Sequence, residues 1–295
     1  MTEAVRVSIY IEAIERSYPD FSVRSIEPHT PGQNNDVLLV NDAFIFRFPK
    51  YAEGIDQLAT EVAILKGIGD YVTLPIPQIT FKQLATRTVG QAFVGYRMLT
   101  GKPLSRETFL GIQDERTLEG LAHQLAQFLR ELHQVPVETA IARQLSVSDT
   151  YDEWSTLYAH IREKCCPLMR ADAQEWSTRH FETFLGDPAH FARTPVLKHG
   201  DFGTTNILFD PPGQVISGIL DFGGAGLGDP AYDFAGLLSS YGDAFLQRCV
   251  TTYPEIEAFW DRITLYQSSF ALLEALFGIE NHDQEAFESG IEKYV

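Results

Sequence analysis

VLKHGDFGTTNILFDPPGQVISGILDFGGAGLGDPAYDFA, from Val196 to Ala235, decides how this chain is read. Asn206 to Phe209 is apolar and strand-like, and Asp210 to Gln214 is a run of turn formers. Val215 to Leu220 reads as a second strand. A hairpin about that turn folds Asn206 back beside Ser217 to Ile219. Asp221 then lies only a few residue steps from Asn206, or roughly 7–10 Å along a strand. Asp201 sits in the loop leading into the hairpin, five residues before Asn206. Three oxygen-bearing side chains are therefore expected at the hairpin's open end.

That set suits phosphoryl transfer. Mg²⁺ takes hard oxygen ligands and leaves most of its positions to phosphate and water. Asn206 and Asp221 are the expected ligands. Asp201 is left to accept the proton of an attacking hydroxyl. The spacing from Asp201 to Asn206 equals that of the kinase catalytic loop, and Asp221-Phe222-Gly223 matches its downstream metal-binding triplet. Gly203, Gly223 and Gly224 keep backbone bulk low around phosphates. An Asp-Phe-Gly or a His-Gly-Asp alone is a weak signal. Both in order, with Asn206 at the right offset and a hairpin between, make a specific one.

Working outward, the first third is rich in strands. Ser8 to Tyr18 reads as a short helix, Phe21 to Ile26 as a strand, and Pro28 to Asp36 as a polar loop. Asp36 to Val40 and Phe44 to Phe48 are apolar runs joined by Asn41 and Asp42, a hairpin signal. Phe44, Phe46 and Phe48 share one face of that strand, and Ile45 and Arg47 share the other. Asp56 to Ile68 reads as a helix with Leu58, Val62, Leu65 and Ile68 on one side. Ile79 to Lys82 and Gln91 to Leu99 follow as strands. Beyond Gly101 and Pro103 helical periodicity takes over, clearest from Arg116 to His133. His123, His133 and His282 read as core or surface residues rather than ligands. The expected order is α+β, with a boundary near residue 100 and a cleft at the junction.

HGDFGTTNILFD (His199 to Asp210), followed by GILDFGGAGLGDPAYDFA (Gly218 to Ala235), resembles the aminoglycoside phosphotransferase family. FIFRFPK (Phe44 to Lys50), TEVAILK (Thr60 to Lys66), LPIPQ (Leu74 to Gln78) and the Gly290-Ile291-Glu292 tail are similar to its 2″-phosphotransferase branch. The resemblance implies a bilobal protein-kinase-like fold. Residues 1–100 would be a small antiparallel β-rich N-lobe that binds nucleotide and ends in a hinge. Residues 101–295 would be a larger helical C-lobe with the catalytic loop, the metal site and the acceptor site. It implies Asp201 as base, Asn206 and Asp221 on Mg²⁺, and Glu61 as partner of the phosphate-binding cation. The loop with Gly32, Gln33 and Asn34 would cover the triphosphate, and Met98, Leu99 and Thr100 would form the hinge. Asp229 and Asp233 match its DPxxD, with Asp233 supporting the loop. Tyr96, just before the hinge, implies GTP used at least as well as ATP.

Two departures bear on function. Where kinases place lysine, this chain has Arg47, which keeps the charge and offers a planar fork. The phosphate loop HTPGQNND carries a single glycine. Glu274 and Glu280 are the candidate acceptor contacts among the C-terminal acids.

Composition narrows the partners. Hydrophobic residues make up 44% and charged residues 21%, an ordinary globular balance, while the net charge is −17. Such acidity argues against nucleic acid and favours a cationic ligand. The three cysteines show no metal-ligand or disulfide spacing. No signal peptide or membrane span is read, so the expected location is the cytoplasm. The expected activity is transfer of the γ-phosphate of ATP or GTP to a hydroxyl of an aminoglycoside, which confers resistance. Other acceptors (a macrolide, an amino alcohol, a sugar derivative) stay open, as does a silent nucleotide-binding module.

Overall fold

A computed structural model describes residues 3–31, 34–136 and 145–295. In chain order it begins α1 (Glu3–Ser17), β1 (Ile26–Pro31), β2 (Asn35–Val40), β3 (Phe44–Pro49), α2 (Ala52–Ile68), β4 (Ile79–Gln83), β5 (Phe93–Arg97) and β6 (Lys102–Pro103). Then come α3 (Arg106–Leu110), α4 (Glu115–His133), α5 (Tyr151–His160), α6 (Ala171–Gly186) and β7 (Val196–Lys198). The last part holds β8 (Ile207–Asp210), β9 (Val215–Ile219), β10 (Gly226–Gly228), α7 (Pro230–Tyr241), α8 (Asp243–Cys249), α9 (Ile256–Asn281) and α10 (Gln284–Ile291). The class is α+β. Among the described residues no helix is long and apolar enough to cross a membrane.

The chain forms two compact units, Met1–Leu104 with Thr205–Ala225, and Ser105–Thr204 with Gly226–Val295. This differs from a single division at residue 100, because Thr205–Ala225 belongs with the first unit. The cause is hydrogen bonding. β6 pairs with β8, and β8 with β9. Leu104 N–H donates to Ile207 O at 2.8 Å, Ile219 N–H to Pro75 O at 2.9 Å, and Ser217 Oγ to Thr100 O at 2.7 Å. Gly101, at φ +111°, makes that approach possible, since a Cβ there would lie 2.2 Å from Ser217 Oγ.

In the first unit an antiparallel sheet runs β1-β2-β3-β5-β4. Asn41 and Asp42 turn the β2–β3 hairpin at φ 52° and 54°, the left-handed pair that a type I′ turn requires. Phe46 and Phe48 bury into one core with Tyr10, Ala13 and Ile14 of α1. Gly95 faces Phe46 across the strands, where a Cβ would meet the ring at 2.8 Å. The expected strand at Phe21 to Ile26 is displaced. Phe21 and Val23 pack against the core as loop residues, and β1 starts at Ile26. It runs through the stretch read as polar loop, and an edge strand tolerates its prolines.

In the second unit, Leu121, Leu125, Phe128, Leu129 and Leu132 of α4 are fully buried, as their spacing dictates. α9 and α10 cross at backbone distance. A Cβ on Gly290 would fall 2.3 Å from Ala275 N, which accounts for glycine in the Gly290-Ile291-Glu292 tail.

Candidate active site

The first unit carries the cationic and metal-ligand candidates. The β8–β9 hairpin sets Ile207 opposite Ile219, and Leu220 N–H donates to Asn206 O at 2.8 Å. Asn206 is therefore across from the residue that precedes Asp221, as the hairpin reading expected. Asn206 is buried and Asp221 is half exposed. Asp221 adopts φ +55°, unusual for a residue with a side chain, and its Oδ1 accepts Gly223 N–H at 3.1 Å. Phe222 is fully buried beside it.

Arg47 lies on β3 with the phenylalanines on the opposite face. Its Nη1 is 2.6 Å from Glu61 Oε1 and its Nη2 is 3.7 Å from Asp221 Oδ1. Glu61 is 3% exposed and also receives a backbone hydrogen bond from Phe222. One carboxylate on α2 thus holds both the cation and the Asp221 turn. Burial works against the Arg47 charge, but Glu61 and then Asp221 outweigh it, so its pKa is raised. For Glu61, burial wins over the pull of Arg47 and raises the carboxyl pKa. The buried stripe of α2 runs Ile55, Leu58, Glu61, Ile64, Leu65 and Ile68. Val62, expected inside, is only half buried. A glutamate at a core position of an amphipathic helix was the signal for this pair.

Tyr96 is buried on β5, opposite Ile45 and Ile79, and burial pushes its phenol up to about 12. Met98 N–H donates to Ala43 O at 2.9 Å, Leu99 packs over Gly218, and Thr100 takes the Ser217 bond. Gly32 and Gln33 lie outside the described residues. Asn34 is exposed, and its carbonyl accepts Lys50 N–H at 2.9 Å.

The second unit carries Asp201, exposed in the loop that follows β7. Asp233, one turn into α7, is fully buried, and its oxygens accept His199 N–H and Gly200 N–H at 2.8 Å each. His133 Nε2 is 3.1 Å from Asp233 Oδ2, and His133 Nδ1 is 3.2 Å from Tyr253 Oη. Burial alone would raise the Asp233 pKa, but the bond from His133 leads a set that holds it below the ordinary value. Asp201 N–H donates to His199 Nδ1 at 3.2 Å. Phe202 stacks on Phe128 at 5.7 Å. α7 passes so close that a Cβ on Gly236 would lie 2.4 Å from Phe202 O. The loop is thus pinned from α4 and α7, a support that His133 and Gly236 did not reveal by their spacing.

Asp229 caps α7 and is fully buried under Arg262, Arg193 and Tyr266, at 2.7, 3.2 and 2.9 Å. Both acceptor candidates lie on α9. Glu274 is exposed on α9. Glu280 is taken by Lys164 at 2.6 Å and His160 at 3.0 Å, and the Lys164 bond lowers its pKa.

Residues 25–265 match the phosphotransferase enzyme family, APH. Viomycin phosphotransferase of Streptomyces vinaceus is similar at 24% identity over 292 residues, spanning 98% of this chain and 99% of that protein. The solved GDP and kanamycin complex of APH(2″)-IIIa is similar at 30% identity and a TM-score of 0.88, covering 96% of each chain. The GDP complex of wild-type aminoglycoside 2′-phosphotransferase-IIIa is similar at 28% identity and a TM-score of 0.88, covering 99% of this chain and 97% of that one.

Proposed function

The chain belongs to the phosphotransferase enzyme family, and from that premise we propose that it moves the γ-phosphoryl group of GTP or ATP to a hydroxyl of an aminoglycoside. Arg47, held by Glu61, binds the nucleotide phosphates, and Asp201 accepts the proton of the attacking hydroxyl. The acid–base step is local. The hydroxyl oxygen bonds to phosphorus, the nucleoside diphosphate leaves with the bridging oxygen, and Asp201 takes the proton.

Asn206 and Asp221 fit Mg²⁺, since a buried amide and a half-exposed carboxylate sit at the end of one hairpin. They would hold an ion whose charge neutralises the phosphates. The rest of the reading concerns the protein's own groups. Gly32, Gln33 and Asn34 cover the triphosphate, and Met98, Leu99 and Thr100 meet the base. Tyr96 favours guanine, a choice supported by two relatives described as GDP complexes. Glu274 remains a candidate for acceptor ammonium groups, and Glu280 only if its lysine is displaced. A nucleoside triphosphate donor favours a cytoplasmic location, and phosphorylation of an aminoglycoside there would confer resistance.

The observation that carries the reading is the buried Arg47–Glu61 pair at 2.6 Å with Asp221 alongside. A silent nucleotide-binding module would keep such a cation too, but it would have no need of Asp201, Asn206 and Asp221 together. The test is a panel of aminoglycosides, macrolides and small amino alcohols, each with GTP and ATP, read by product mass. An aminoglycoside gaining one phosphoryl group is expected. Product only with a macrolide or amino alcohol would move the acceptor to that class.

A further inference from the structure

Lysine is seldom buried without a partner, and Lys198 is 5% exposed. It ends β7, three residues before Asp201. Its Nζ is 2.9 Å from Asp149 Oδ2 and 3.1 Å from Oδ1, and 3.9 Å from the centroid of the Tyr232 ring. Asp149 is buried as well, at φ +59°. Its Oδ2 also accepts Asp229 N–H at 2.9 Å, and its own N–H donates to Glu153 at 2.5 Å. Next to it Ser148 N–H donates to Leu227 O at 2.7 Å. Gly228 leaves room for the pair, since a Cβ there would fall 2.3 Å from Asp149 Oδ2 and 2.8 Å from Lys198 Cε. One ion pair therefore touches β7, β10, the start of α7 and the residues before α5.

Stability does not account for it. A buried ion pair is often no better than packed apolar residues of the same volume. What an ammonium between a carboxylate and an aromatic face does supply is fixed geometry. We propose that Lys198 is a positioning residue for Asp201. Paired with Asp149, it anchors the end of β7, from which His199 to Asp201 run, to the first turn of α7 that carries Asp233. The same pair ties that loop to the chain entering α5. This rests on the reading of Asp201 as the base.

The test uses the full chain and three variants: Lys198→Met, Lys198→Arg, and Lys198→Met combined with Asp149→Asn. Each is read by kcat, nucleotide KM and Tm, on an aminoglycoside that the wild type phosphorylates. Lys198→Met is expected to lower kcat by about tenfold or more, because sub-ångström misplacement is costly, with nucleotide KM within about twofold. Lys198→Arg should recover most of kcat. The double variant leaves no buried ion unpaired, so it is the one read if Lys198→Met fails to fold. It too should keep a low kcat. A folded Lys198→Met or double variant with wild-type kcat, changed only in Tm, overturns the proposal. If the wild type phosphorylates no aminoglycoside, the functional reading fails, and amide exchange at His199 and Gly200 decides this one. Faster exchange in the variants supports it, and unchanged exchange overturns it.

Discussion

The roles proposed for Asp201 and Arg47 differ, and substitution should separate them. Asp201 is exposed, whereas Asp233 is buried and accepts two backbone N–H groups, so loss of Asp201 should disturb the fold less. Asp201→Ala is expected to lower kcat by about 10²-fold or more with nucleotide KM little changed. A near-normal kcat would remove it from the base role. Arg47 is different, because Glu61 is buried against it at 2.6 Å. Arg47→Ala leaves that carboxylate unpaired, which costs about 3–5 kcal/mol of stability. It should also raise nucleotide KM and lower kcat. Arg47→Lys keeps a charge within reach and should stay active. Thermal melts and steady-state kinetics on the same preparations check both halves, and an Arg47→Ala enzyme indistinguishable from wild type would sink the phosphate role.

Among the elements, α7 bears most on the Asp201 loop, through one glycine and one carboxylate. Alanine normally favours a helix over glycine by about 1 kcal/mol. At Gly236 the added methyl would meet Phe202 O at 2.4 Å, while at Gly120 of α4 nothing lies within 4 Å. Gly120→Ala is therefore expected to stabilise by about 0.5–1 kcal/mol. Gly236→Ala should destabilise by about 1–3 kcal/mol and lower kcat. Opposite signs in denaturant melts are the measurement, and equal signs would refute the close approach. Asp233 adds a pH dependence. Its folded pKa lies below the ordinary 3.8, so the carboxylate contributes stability above that value and loses it as pH falls toward the depressed one. Tm of wild type and Asp233→Asn, followed from pH 7 to pH 3, should differ most near neutrality and converge in acid. A gap that widens in acid would contradict the sign.

Over the whole molecule the net charge of −17 sets a field that draws polycations. Aminoglycoside KM should therefore rise with ionic strength, as the screening length shortens from about 10 Å at 0.1 M salt. Assays across a salt series at fixed Mg²⁺ and nucleotide check it. A flat response would assign recognition to short-range contacts alone.

The sequence by itself determined the parts whose partners are close along the chain. The Asn41-Asp42 turn, the α4 stripe and the Asn206–Asp221 hairpin end depend on local turns and periodicity, where backbone geometry leaves few alternatives. Asp201 was singled out by its motif alone, and its role as base is a proposal. β1 was not legible, because Phe21 and Val23 look like strand residues yet are used as packing, and only an edge position makes Pro28 and Pro31 acceptable in a strand. Tertiary structure alone decided the supports. His133 meets Asp233 across 100 residues, and Lys198 meets Asp149 across 49. It also returned Thr205–Ala225 to the first unit. The physical reason is that a buried polar group is tolerable only with its partner in place, and nothing local specifies a partner supplied by a distant element.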